Sequence, residues 1–129
     1  MKRRTFALIA LLCGGLLAQE GHPMRGTWHG SWGTNATDRT SVTLVMDFDG
    51  DNVTGIMNPG LRSVPLQKVT LDPNGWKVHL EADYKDRAGA VSHLTVDAKL
   101  EEVTNVNRRM VGTYTLGTQK GDFKATRDN

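Results

Sequence analysis

The sequence predicts an all-β fold, and three observations predict it. Turn-forming clusters recur at intervals of about ten residues, the spacing of an antiparallel meander: Gly33 to Asn35, Asp49-Gly50-Asp51-Asn52, Asn58-Pro59-Gly60, Asp72-Pro73-Asn74-Gly75, Asp86 to Gly89, Glu101 to Asn105 and Gly117 to Gly121. The eight segments around these turns are rich in Val, Thr, Leu and aromatic residues and alternate apolar with polar, so each strand has one dry and one wet face. No window keeps the three-to-four spacing of an amphipathic helix for long enough to bury a face. A single open sheet of this kind would leave its dry face in water. An eight-stranded antiparallel up-and-down barrel removes that problem, since its interior is just wide enough to be filled by side chains or to hold one small ligand. A two-sheet sandwich is the alternative that the same alternation allows.

Taken in order, the first segment is Arg25 to Trp32. In the second, Val42, Leu44, Met46 and Phe48 oppose Ser41, Thr43, Val45 and Asp47; the Asp49 to Asn52 hairpin then brings Val53, Gly55 and Met57 to the side of Met46 and Phe48. In the fourth, Leu66 is out of phase with Val69 and Leu71, which calls for a β-bulge near Gln67 or Lys68. Asp72-Pro73-Asn74-Gly75 reverses the chain, with proline fixing φ and glycine accepting a positive φ. The fifth segment follows, with Trp76, Val78, Leu80, Ala82 and Tyr84 inward and Lys77, His79, Glu81 and Asp83 outward. Leu94, Val96, Ala98 and Leu100 point inward on the sixth, Met110 and Tyr114 on the seventh, and Phe123, Ala125 and Arg127 share a face on the last.

Gly26-Thr27-Trp28 in the first segment resembles the Gly-x-Trp mark of calycin-type barrels, the lipocalin and avidin group. That resemblance implies a basic residue from the last strand lying across the tryptophan, here Arg127 across Trp28 as a barrel-closing pair. The chain after its leader is also similar to short exported bacterial proteins of unassigned function that share the stretches GTWxGxWG, VTLVM, PLQKVTLDP and QKGDF. This second likeness implies export and the fold, and carries no activity.

The leader is read from Lys2, Arg3 and Arg4 followed by the apolar run Phe6 to Ala18, the pattern of a secretory signal too short to span a bilayer once flanked in this way. Residues 1–18 are expected to be removed, with 19–24 a flexible segment, 25–127 a single barrel domain and 128–129 a tail, and the product periplasmic or extracellular. Removing three of the 16 Lys and Arg leaves 13 against 14 Asp and Glu, turning a net charge of +2 into −1. Nucleic acid, which calls for a local surplus of cations, is thereby excluded as a partner. Cys13, the single cysteine, leaves with the leader, so no disulfide is available and stability rests on a hydrophobic core. Lipid anchoring at Cys13 is the minor alternative, and Leu12 stands where such a site wants a small residue. Asn35-Ala36-Thr37 and Asn52-Val53-Thr54 are glycosylation triplets, which matter only in a host with that machinery.

Chemistry is sparse. His22, His29, His79 and His93 lack the spacing of a metal site. Alternation puts His79 and His93 on the outer face of one hairpin, His93 near Glu81 or Asp83 and His79 near Thr95 or Asp97, as cross-strand charge pairs. Asp47 to Asn52 differs from a calcium loop in the place of its glycine and in having Asn58 where a bidentate Glu is needed. Ser31, Ser41, Ser63 and Ser92 have no nucleophile context, and no carboxylate pair occupies the dry face, so no enzyme and no cofactor is expected.

The interior remains. Trp28, Met46, Phe48, Met57, Trp76, Met110 and Tyr114 are the candidate lining of an adaptable apolar pocket. The same residues describe a packed core, which Gly30, Gly55 and Gly112 favour by permitting close backbone approach. A carrier of a small apolar or amphipathic ligand is thus one expectation. The other is a filled interaction module that binds a protein or envelope component through its outer face or loops, where Val45 and Ile56 lie side by side.

Overall fold

The computed structural model describes residues 22–50, 52–60, 63–86 and 88–128; the leader, its cleavage site and Cys13 lie outside them. Among the described residues there is no helix, and hence none long and apolar enough to cross a membrane. The strands are β1 (Gly26–Gly33), β2 (Arg39–Asp49), β3 (Asn52–Met57), β4 (Val64–Pro65), β5 (Lys68–Asp72), β6 (Lys77–Lys85), β7 (Val91–Glu101), β8 (Arg109–Leu116) and β9 (Gln119–Asp128). They form one antiparallel sheet in the order β4-β3-β2-β1-β9-β8-β7-β6-β5, so the dry face is not divided between two sheets as the sandwich would require.

Nine strands replace the expected eight because the fourth segment is cut in two. The Leu66 amide donates to the Gly55 carbonyl on β3 at 2.9 Å, and the next amide, of Gln67, donates to the Glu81 carbonyl on β6 at 2.8 Å. The chain changes neighbour between consecutive residues, a sharper event than the expected bulge. Gly55 makes it possible: a Cβ there would stand 2.6 Å from Met46 Sδ and 2.7 Å from Leu66 Cδ1. In the hydrogen-bonded order β4 and β5 are the two ends, so the ladder of paired strands does not close into a barrel.

The first and last strands do meet. β1 pairs with β9 from Thr27 opposite Asp128 to Gly33 opposite Asp122, which makes Asp128 a strand residue and not part of a tail. Gly30 sits on this seam, where a Cβ would come 1.8 Å from the Lys124 carbonyl oxygen; no other residue type fits that approach.

Alternation is realised as burial. Val42, Leu44, Met46, Val78, Leu80, Ala82, Leu94, Val96, Leu100, Met110, Phe123 and Ala125 are all buried in one cluster with Trp28, Met57 and Tyr114. Val53, Tyr84 and Ala98 are partly buried against the cluster, and Phe48 and Trp76 depart further. Phe48, near the end of β2, is only half-buried, 6.0 Å from the ring of His22. Trp76 is not in a strand: the turn runs one residue further than the tetrapeptide suggests, with Gly75 at φ 90° and Trp76 at φ 54°, and the indole packs half-buried against the core. Met24, in the segment expected to be flexible, is fully buried.

Candidate functional site

The core has two ends of different construction. At the end where β1 starts and β9 finishes, backbone carbonyls accept hydrogen bonds from the neighbouring side chains of Trp28, Arg108 and Arg127. Trp28 Nε1 donates to the Met24 carbonyl at 2.8 Å, holding the entering chain across the core. Arg108 donates to the carbonyls of Val103 and Pro23. Arg127, opposite Trp28 in the strand register, donates to the carbonyls of Val106 and Arg25. The basic residue expected across Trp28 is therefore beside it, with its guanidinium directed to the N-terminal segment and the β7–β8 loop.

At the opposite end, where β1 and β8 finish and β2 and β9 begin, lies a cleft of about 290 Å³ bordered by Trp32, Arg39, Thr40, Tyr84, Tyr114 and Gln119, among others. Three aromatic rings pack beneath it, with Trp32 and Tyr114 themselves buried at 3% and 2% exposure. Trp32 meets Tyr84 edge-on at 5.4 Å and Tyr114 at 5.8 Å between ring centroids, distances at which aromatic pairs attract beyond simple burial. Gly121 faces Tyr114 across β8 and β9, and a Cβ there would stand 2.9 Å from Tyr114 Cε1, so the absent side chain is what admits the ring. Arg39 closes one side, donating to both carboxylate oxygens of Asp122 at 2.6 and 2.9 Å and to the Ser31 hydroxyl. This bidentate contact holds the Asp122 carboxyl below its ordinary pKa.

Tyr114 is 2% exposed, and its hydroxyl is buried with no hydrogen-bond partner among the described residues. Burial pushes its pKa up, so it stays a neutral donor. Most buried hydroxyls are partnered, because an unmet one forfeits its hydration without replacement. The cleft thus lies over a packed aromatic floor in which one donor is unmet.

Of the residues expected to line a pocket, Trp28, Met46, Met57 and Met110 lie at 2% exposure or less within the core, and Tyr114 alone borders this cleft. Phe48 and Trp76 belong to the opposite end. Sequence reasoning passed over Trp32, although its parity with Trp28 was the available signal. It could not single out Arg39, whose partner Asp122 is 83 residues away.

On the outer wall, β6 and β7 carry a continuous ladder of charge. His79 Nδ1 contacts Asp97 at 2.6 Å and its Nε2 contacts Glu81 at 2.7 Å; His93 Nε2 contacts the other oxygen of Glu81 at 2.9 Å and its Nδ1 contacts Asp83 at 3.0 Å. Gln67 donates to Asp83 at 2.8 Å. All ring nitrogens of both histidines face carboxylates, which suits the doubly protonated imidazolium. The bonds to Asp97 and Glu81 raise the pKa of His79, and those to Asp83 and Glu81 raise that of His93. Glu81 and Asp83 are lowered in return, by His79 and by His93 first. His79 with Asp97, and His93 with Glu81 and Asp83, are the cross-strand pairs that alternation implies; His79 with Glu81 joins two residues on the same face of β6. Among the described residues no group of three or more His, Cys, Asp or Glu is arranged to hold a metal ion. His29 is exposed and bound to Asp128 at 2.8 Å, and Asp51 of the acidic hairpin lies outside the described residues.

No protein-family model, curated protein or solved structure matches this chain.

Proposed function

We propose that this chain is an exported, non-enzymatic binding protein in which the sheet closes into a barrel and the cleft at its open end holds a small amphipathic molecule. Closure is supported by chain continuity. β4 and β5, the two ends of the ladder, are successive pieces of one segment, and the amides of Leu66 and Gln67 between them reach β3 and β6 in turn. The Gly26-Thr27-Trp28 resemblance to calycins agrees with it, and the charged, apolar leader supports export.

The observation that carries the binding reading is the aromatic cleft itself. At about 290 Å³, with Trp32, Tyr84 and Tyr114 packed at its floor and Arg39, Thr40 and Gln119 at its rim, it has the size and the mixed lining of a site for a small ligand. Trp28, Met46, Met57 and Met110 are packed beneath it, so the ligand sits at the mouth and not within the core. Titration with N-phenyl-1-naphthylamine, a neutral fluorescent probe, tests this. Saturable enhancement is expected in the parent protein and in Ile56→Glu on the outer wall, and its loss in Thr40→Trp, which fills the cleft from an exposed position. Absence of saturation in the parent protein would sink the reading.

A second reading, contact with another macromolecule, rests on Val45 and Ile56, register partners on the outer face that are 38% and 43% exposed. Sedimentation at increasing concentration, with Ile56→Glu as the comparison, detects association through this patch.

A further inference from the structure

We infer that the cleft selects neutral aromatic molecules carrying a hydrogen-bond acceptor, such as an aryl ketone, and that the Tyr114 hydroxyl is the donor that reads the acceptor. The inference rests on the ligand-binding reading of this end of the core.

Three features define the class. Tyr84, half-buried at the cleft, packs edge-on to Trp32 at 5.4 Å, and Trp32 packs on Tyr114 at 5.8 Å beneath it; a flat ring laid against Tyr84 extends that packing with little loss of conformational freedom. Tyr114 borders the cleft, and its hydroxyl is buried without a partner among the described residues. A phenol donates a hydrogen bond better than it accepts one, because its oxygen lone pair is delocalised into the ring. A carbonyl oxygen on the ligand therefore satisfies the group that the protein leaves unmet, and a hydrocarbon of the same shape does not.

Charge supplies the third feature. Among the described residues, the only cationic side chain bordering the cleft is Arg39, already matched by both oxygens of Asp122 and by Ser31. Asp38 adds a carboxylate to the rim. An anionic ligand would lose hydration on entry and find no free cation, so neutrality is part of the selection.

The test compares acetophenone with α-methylstyrene, in which a CH₂ group replaces the carbonyl oxygen, by following the Trp32 indole N–H and the Gln119 amide in nitrogen-15 spectra. Both probes are expected to shift these signals, with acetophenone binding about 5- to 30-fold more tightly. In Tyr114→Phe, which retains the ring, that preference should collapse towards unity. Benzoate at pH 7 should bind more weakly than acetophenone.

Equal affinities in the parent protein, a preference that survives Tyr114→Phe, or tighter binding of benzoate would each overturn the inference while leaving the cleft a binding site. Failure of both acetophenone and α-methylstyrene to shift the cleft signals would remove the inference together with the reading beneath it. The comparison within the parent protein stands even where the variant folds poorly.

Discussion

The two ends of the core are made from the same strands and finished by opposite rules. At one end Trp28, Arg108 and Arg127 donate to the carbonyls of Met24, Pro23, Val103, Val106 and Arg25, and Met24 is fully buried over the apolar cluster. At the other, Trp32, Tyr84 and Tyr114 leave a cleft, and a buried hydroxyl goes unpartnered among the described residues. Satisfied polar groups with close packing contribute stability, whereas an unmet donor beside open space costs stability and suits recognition. This difference is the ground for proposing a structural role for one end and a binding role for the other.

Substitutions can break this comparison, beginning with the largest expected effect. Trp28→Ala removes a fully buried indole and the bond to Met24, and should lower unfolding stability by about 3–5 kcal/mol in denaturant titration. Trp28→Phe keeps most of the volume but strands the Met24 carbonyl, for a loss of about 1–3 kcal/mol. Tyr114→Phe, at the other end, should change stability by less than about 1 kcal/mol, because the hydroxyl removed has no protein partner to abandon. A large loss from Tyr114→Phe would erase the distinction between the ends.

The smallest effect belongs to the wall between them. His79 and His93 have pKa values raised above the ordinary 6.5, so their stabilisation is complete below that value and fades as pH climbs through the raised folded values. Glu81 and Asp83 are lowered from 4.5 and 3.8, so theirs is present above those values and fades as pH falls through the lowered ones. The thermal midpoint should therefore be highest between about pH 4.5 and 6.5. Glu81→Gln should flatten the profile, since it removes the acceptor common to both histidines. These groups are largely in water, so the change is modest.

Period-two alternation made most of the core legible, because a strand face is a local property: Val42, Leu44 and Met46, Val78, Leu80 and Ala82, and Leu94, Val96 and Leu100 are buried as their parity implies. Asp97 beside His79, and Glu81 and Asp83 beside His93, were legible for the same reason, each lying one strand away. Trp76 was misplaced because the turn propagates a left-handed backbone one residue beyond Gly75. Leu66 and Gln67 could not be resolved locally, since their partners Gly55 and Glu81 belong to two different strands. Met24 gave no alternation to read: its burial follows from a carbonyl that Trp28 captures. The cleft was hidden because Arg39 and Asp122, far apart in the chain, are joined only when β1 lies between β2 and β9.

Everything proposed here requires that Val64–Asp72 join the two ends of the sheet around a packed interior. Amide hydrogen exchange resolved at Leu66 and Gln67 tests this most directly. The account predicts that both amides are protected to the level of Leu44 and Leu80 at the centre of the sheet; exchange of either at the rate of an unstructured peptide would contradict it.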